Sequence, residues 1–202
     1  MIEAYEKDGL LTVTLNRPDK ANSLTGDMLS ELADLFENAD PLALVLTGAG
    51  EKVFSAGADL EEARAGLATS PLWERVSGAL AALTCPTIAA LNGTLAGGAF
   101  GMALACDIRL CVPGASFFYP VAKLGFLPQP SDPGRLAALV GPSRAKLLLM
   151  AGAKLTTEEA LAFGLVDRVV ARADLMAYAE ALCAPALTGD TANVRTIKAM
   201  VG

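Results

Sequence analysis

Extended and helical signals alternate along the whole chain, and this alternation predicts an α/β fold. Three observations carry it. Leu42-Ala43-Leu44-Val45-Leu46 and Thr87-Ile88-Ala89-Ala90-Leu91 are short uninterrupted apolar runs, the pattern of strands buried on both faces. Between such runs lie segments with apolar residues on one helical face, clearest at Met28, Leu29, Leu32, Leu35 and Phe36. Each run is also followed by a turn of small residues that leads into a helix. Periodicity alone allows a doubly wound sheet as readily as any other stacking of such repeats.

Taken in order, Ile2–Tyr5 and Leu10–Leu15 read as two strands around the turn Asp8-Gly9. Asn16-Arg17-Pro18-Asp19 leaves the sheet, and Thr25 is placed to cap the helix that carries Met28 to Phe36. Pro41 precedes the strand Leu42–Leu46, which Thr47-Gly48 ends. Phe54 to Leu60 turns into a helical region that is broken at Ser70-Pro71 and stopped by Thr84-Cys85-Pro86. After the strand Thr87–Leu91, Asn92-Gly93 closes the extended run. Gly97-Gly98 opens a helix from Ala99 to Ala105, and Ile108–Val112 is the next strand. Ser116-Phe117-Phe118-Tyr119-Pro120 reads as a further strand, with Tyr119 and Val121 spaced for one face. Asp132-Pro133 has the form of an N-cap and first-turn proline, opening a helix that Gly141 ends. Helices from Pro142 and from Thr156, a strand Leu165–Val170, and helices from about Asp174 and Thr191 complete the chain. No linker, low-complexity segment or clean repeat divides it, so residues 1–202 are expected to form one domain, with a core at 1–140 and C-terminal helices at 141–202.

Composition narrows the function. Hydrophobic residues make up 53% of the chain and charged residues 19%, which excludes a disordered segment. A net charge of −6 without a basic cluster argues against a nucleic-acid partner. No apolar run reaches the length of a membrane span, and the start MIEAYEKDG has no basic region before an apolar stretch, so neither a membrane anchor nor a signal peptide is expected. Cys85, Cys106, Cys111 and Cys183 lack metal-ligand spacing and read as free thiols of a cytoplasmic protein; no metal site is expected. The chain has no histidine, which rules out Ser-His-Asp and Cys-His catalysis.

Candidate chemistry lies in the two turns. Glycine lets another molecule approach the main chain, and the first N–H groups of a helix lack intrahelical partners and favour negative charge. Gly97-Gly98 after one strand and Ala56-Gly57-Ala58 after another can each offer one N–H to a single oxygen. These stretches, with Asn16-Arg17-Pro18, Lys20-Ala21-Asn22-Ser23-Leu24, Asp59-Leu60, Asn92-Gly93, Cys106-Asp107-Ile108, Leu124-Gly125 and Ala162-Phe163-Gly164-Leu165-Val166-Asp167, fall in the order found in one family. The chain resembles the crotonase (enoyl-CoA hydratase/isomerase) superfamily over nearly its whole length.

The resemblance implies a crotonase-like ββα spiral. It implies an acyl-CoA thioester as substrate, with coenzyme A entering only as part of it and no tightly bound cofactor. The thioester oxygen would sit between the N–H groups of Ala58 and Gly98. Arg17, Lys20, Ala21 and Ser23 would meet the coenzyme, and Ala56, Gly57, Asp59, Leu60, Gly97, Gly101 and Val121 would line the remainder. A cytoplasmic homotrimer or hexamer acting as a lyase or isomerase of fatty acid metabolism is the implied context. Two features depart from the pattern. Hydratases of the family carry glutamates where this chain has Gly101 and Val121. Relatives also continue past the helix that begins at Thr191, so the C-terminal helical region is expected to be truncated. Tyr119 is a candidate substitute for the missing acid–base groups, or else a core aromatic. Glu61 and Glu62, which start the helix after the Ala58 turn, and Asp132, near the region that lines the acyl end in relatives, are further candidate substitutes, or else helix-start acids and an N-cap; Lys123 reads as a solvated side chain, and Asp59 and Asp107 as turn and cap residues. An enolate-forming enzyme (isomerisation, decarboxylation or atypical hydration) and a non-catalytic coenzyme-binding or assembly subunit both fit the sequence.

Overall fold

The structure, a computed structural model, describes residues 1–201. Its strands are β1 (Ile2–Lys7), β2 (Leu10–Leu15), β3 (Ala43–Gly48), β4 (Val53–Ser55), β5 (Thr87–Leu91), β6 (Thr94–Ala96), β7 (Ile108–Cys111), β8 (Ser116–Phe118), β9 (Lys154–Thr156) and β10 (Arg168–Val169). Its α-helices are α1 (Gly26–Asn38), α2 (Leu60–Arg64), α3 (Leu72–Ala82), α4 (Phe100–Ala105), α5 (Val121–Leu124), α6 (Asp132–Val140), α7 (Pro142–Leu149), α8 (Thr157–Phe163), α9 (Leu175–Thr188) and α10 (Thr191–Val201).

The strands form two sheets. The larger runs β1-β2-β3-β5-β7-β10, parallel except for the β1–β2 hairpin. The smaller runs β4-β6-β8-β9. Both sheets advance together: β3, β5 and β7 enter the large sheet, and β4, β6 and β8, each next in the chain, enter the small one. Each turn of the chain is therefore strand, strand, helix, and successive turns stack as a spiral. A doubly wound sheet is excluded by the second sheet.

Sequence periodicity finds the large sheet because its strands are buried through their length; every residue of β3 and β5 is buried. It misses β4, β6 and β9, which are three residues long and too short to show a period. Asn92-Gly93 is thus a crossing between sheets and not the end of the extended run. Gly97-Gly98-Ala99 forms one 3-10 turn before α4 begins at Phe100. The expected strand Leu165–Val170 reduces to β10, because Leu165 and Val166 donate back to Ala160 at the end of α8. The expected strand through Tyr119 stops at Phe118, so Tyr119 and Val121 do not share a strand face: Val121 begins α5. Thr25 caps α1 as expected, accepting from the Met28 N–H at 3.2 Å.

Two buried asparagines hold the crossing between sheets. Asn22 takes left-handed backbone angles (φ +50°), accepts from the Arg17 N–H at 2.9 Å, and donates to the carbonyls of Ala49 and Val53 at 2.9 and 2.8 Å. Asn92 accepts from the Gly48 N–H at 3.1 Å and donates to Gly50 at 2.8 Å. Together they tie the ends of β3 and β5 to the loop that leads into β4. Asn22→Ala leaves the Arg17 N–H and the Ala49 carbonyl without these partners and puts alanine at a positive φ. It is expected to cost roughly 2–4 kcal/mol, read as a lower urea midpoint at unchanged slope.

Candidate active site

The two small-residue turns meet. A β-carbon on Gly57, which holds φ +88°, would lie 3.0 Å from the Ala96 carbonyl and 3.2 Å from the Gly98 nitrogen, so only glycine permits this approach. The Ala58 turn is held from behind by the loop at 17–24. Ala56 donates to Ala21 at 3.0 Å, Leu24 to Gly57 at 2.8 Å, and Asp59 to Leu24 at 2.8 Å. The Ser55 hydroxyl donates to Asn22 at 2.8 Å and accepts from the Gly57 N–H at 3.1 Å. The Gly98 turn is held by Trp73, whose ring packs where a Gly98 side chain would start and whose Nε1 donates to Leu67 at 2.8 Å. Among the described residues, neither the Ala58 nor the Gly98 N–H donates to a carbonyl or side chain.

Both turns face a cavity of about 240 Å³. Ala56, Ala58, Gly97 and Gly98 form one wall, Trp73, Tyr119, Val121 and Gln129 the others, and Leu60, Leu124, Phe126 and Leu127 an apolar rim. A larger groove of about 410 Å³ between α1 and α3, lined by Phe36, Pro41, Ala82 and Leu83, carries none of the expected site residues.

Several expected residues have other duties. Arg17 Nη1 is taken up by Asp59 Oδ2 at 2.8 Å and by the Ser23 carbonyl and hydroxyl at 3.2 Å, so it clamps the loop to the Ala58 turn. Its guanidinium holds the Asp59 carboxyl below the usual range, and Asp59 also caps α2. Lys20 and Glu61 are exposed. Glu62 Oε2 accepts from the Gly26 N–H at 2.7 Å, which ties it to the start of α1. Gly101 is buried behind the cavity and not on its wall.

Asp132 differs most from expectation. It is not the cap of α6. Ser131 holds that position, and Glu74 from α3 accepts from both the Ser131 N–H (3.1 Å) and its hydroxyl. Asp132, the first residue of α6, turns inward and is fully buried. Its Oδ2 accepts from the Tyr119 hydroxyl at 2.8 Å. Its Oδ1 has no partner among the described residues and points at Gly101, where a β-carbon would lie 3.0 Å away. Burial pushes the Asp132 carboxyl up to about 6, even though the Tyr119 hydrogen bond and Arg135 pull it down. Burial and the Asp132 charge push the Tyr119 phenol well above its ordinary value. The Tyr119 ring is itself buried and stacks on Phe100, with centroids 5.3 Å apart. Reading the sequence alone missed this pair because Asp-Pro at a helix start has the form of an ordinary cap.

The four cysteines are free and buried, and burial raises their thiols to about 11 (Cys85) and about 12 (Cys106, Cys111 and Cys183), which keeps them protonated. Among the described residues no cluster of three or more His, Cys, Asp or Glu side chains has metal-site geometry, and no helix is long and apolar enough to cross a membrane.

The family model described as enoyl-CoA hydratase/isomerase matches residues 5–202. The carnitinyl-CoA dehydratase of Escherichia coli K12 is 41% identical over 183 residues, covering 86% of this chain and 69% of the relative. The short-chain-enoyl-CoA hydratase of Clostridium acetobutylicum is 39% identical over 181 residues, covering 85% and 69%. The crystal structure of an enoyl-CoA hydratase from Bacillus anthracis superposes with a TM-score of 0.90 at 33% identity, covering 99% of this chain and 81% of that one. With the spiral of paired strands, the two meeting turns and these matches in agreement, the chain belongs to the enoyl-CoA hydratase/isomerase family of the crotonase superfamily and is an enzyme of that family.

Proposed function

We propose that this enzyme binds an acyl-CoA thioester in the cavity between the two turns and stabilises an enolate there. The observation that carries the reading is a pair of unengaged backbone N–H groups, at Ala58 and Gly98, on adjoining turns that face one cavity. Breaking a C–H bond next to a thioester puts negative charge on the carbonyl oxygen. Two preorganised donors stabilise that charge, each worth on the order of 3 kcal/mol. Being backbone groups, they are aimed by the fold and cost no reorganisation when the charge appears.

The rest of the reading follows the cavity. The apolar rim suits an acyl chain and the pantetheine arm. The loop at Lys20, Ala21 and Ser23 would meet the coenzyme, with exposed Lys20 toward its phosphates and Arg17 holding the loop in place. Isomerisation, decarboxylation and atypical hydration all pass through such an enolate. A homotrimer or hexamer in the cytoplasm belongs to the same proposal, and light scattering in solution checks the assembly.

A non-catalytic coenzyme-binding subunit rests on the absence of carboxylates at positions 101 and 121. Asp132 weakens that ground, because it sets a carboxylate one hydrogen bond behind the cavity wall.

Calorimetry with acetyl-, crotonyl- and malonyl-CoA on the wild type and on Gly98→Pro tests the proposal, with circular dichroism to confirm folding. Proline removes the Gly98 donor. One thioester class is expected to bind the wild type and to bind a folded Gly98→Pro more weakly, and its α-proton exchange in D2O is expected to fall about 10²-fold or more. Equal binding by a folded Gly98→Pro would overturn the donor role.

A further inference from the structure

We propose that Tyr119 and Asp132 form the proton relay of this active site, with Tyr119 as the catalytic acid–base group and Asp132 as the positioning residue that receives and returns its proton. The inference deepens the enolate reading and rests on it.

Among the described residues, Tyr119 is the only ionisable side chain on the cavity wall; every other lining residue is uncharged. Proton transfer at this cavity therefore runs through its hydroxyl or through solvent. That hydroxyl is fixed in place. The ring stacks on Phe100, the proton points at Asp132 Oδ2 at 2.8 Å, and the Gln129 N–H approaches the oxygen at 3.5 Å.

Among the described residues, Asp132 caps no helix and forms no ion pair; the only partner of its carboxylate is the Tyr119 hydroxyl, and Oδ1 has none. A buried carboxylate oxygen without a partner is costly, and such groups concentrate where chemistry uses them. Space has been made for it as well: residue 101 carries no side chain, and any β-carbon there would press on Oδ1.

The chemistry balances. The α C–H bond of the thioester breaks, and its electron pair moves into the carbonyl, whose oxygen is held by the Ala58 and Gly98 N–H groups. The α proton bonds to the Tyr119 oxygen while the phenolic proton passes to Asp132 Oδ2. One negative charge leaves Asp132 and one appears on the enolate, so none is created. The reverse sequence delivers a proton to carbon. Tyrosine alone cannot do this near neutral pH, because its phenol is raised by burial and by Asp132. Asp132, pushed to about 6, is ionised at neutral pH yet basic enough to accept. Glu74 on α3 raises it, Arg135 on its own helix lowers it, and α4, packed on the other side, presents Gly101 and no ionisable group.

Butyryl-CoA and crotonyl-CoA in D2O, with exchange followed by mass spectrometry between about pH 5 and 8, test the relay in the wild type, Tyr119→Phe, Asp132→Asn and the double variant. Wild-type exchange is expected to rise with pH around a midpoint near 6, as Asp132 becomes able to accept. Tyr119→Phe and Asp132→Asn should each lose about 10²-fold or more, and both should lose the midpoint. The double variant should be no slower than the worse single one, as for residues acting as a unit. Calorimetric affinity for butyryl-CoA should stay within about 3-fold in all three, because the Ala58 and Gly98 donors remain and a factor of 3 is under 1 kcal/mol. If both single variants exchange at the wild-type rate with the midpoint intact, the relay is wrong and the thioester site stands. If the wild type binds thioesters but exchanges no protons, the relay is again wrong and the binding site stands. If it neither binds nor exchanges, the relay and the thioester reading fall together.

Discussion

Gly93→Ala is expected to give no stably folded protein. Gly93 carries the chain from the large sheet into the small one, between β5 and β6. The Thr94 N–H donates to the Lys52 carbonyl at 3.0 Å, which draws this crossing onto the strand end that starts β4. A β-carbon at position 93 would lie 2.2 Å from the Lys52 oxygen, 2.3 Å from its carbonyl carbon and 2.6 Å from the Val53 nitrogen. All three are backbone atoms and cannot rotate away, so the β4–β6 pair must separate. Overpacking a core usually costs 1–3 kcal/mol because side chains give way; here nothing gives, and a loss of about 4 kcal/mol or more is expected. The separation would also pull apart the Ala58 and Gly98 turns, since each follows one of these strands. Gly78→Ala is the matched control. Gly78 lies within α3 with open space around it, and the same added methyl should stabilise by about 0.5–1 kcal/mol. Thermal melts of the two variants and the wild type check both values. A folded Gly93→Ala melting within a few degrees of the wild type would mean that the two sheets are not held at this separation.

Asp132→Asn is expected to gain stability relative to the wild type as the pH rises. The Asp132 carboxyl titrates near 6 in the folded protein and has an ordinary value of 3.8. Between these values the folded state binds more protons than the unfolded chain, so wild-type stability falls with rising pH through this window. Above about pH 6 the full cost of holding the buried charge is present, on the order of 3 kcal/mol at 1.36 kcal/mol per pH unit. Asparagine has no charge to bury and no such slope. Contributions from groups remote from position 132 are common to both proteins and cancel in the difference. The melting temperature of Asp132→Asn relative to the wild type should therefore climb by roughly 6–12 °C between about pH 3.5 and 7.5 for a chain of this size. A difference that does not change with pH would mean that Asp132 is not held in the unfavourable environment described. The expected gain in stability comes with the expected loss of exchange activity, the usual trade at a site where function needs a buried charge.

Much of the fold is legible in the chain before any coordinates are considered. The buried runs at β3 and β5, the Thr25 cap, the Asp8-Gly9 hairpin turn and the stop at Thr84-Cys85-Pro86 are local signals, and local physics reads them. The Ala58 and Gly98 turns were found in the same way, because small residues between an apolar run and a helix have little other use than close approach. Of the second sheet only β8 was legible. The other three-residue strands, β4, β6 and β9, have no measurable period, and the crossing into the sheet depends on Asn22, Asn92 and Gly93 packing against residues that lie dozens of positions apart.

The sequence by itself determined the α/β alternation, the family and the two turns that present backbone donors. The alternation and the turns rest on spacing within a few residues and the family on short motifs in a fixed order, all of which the chain carries wherever it goes. Only the tertiary structure decided that Arg17 is a clamp and that Asp132 is a buried partner of Tyr119. Asp132-Pro133 caps a helix when nothing else does. Here Ser131, held by Glu74 from α3, takes the cap position instead, and Gly101 leaves room for Asp132 to turn inward onto Tyr119. The role of a carboxylate is set by what surrounds it, and its surroundings come from distant parts of the chain.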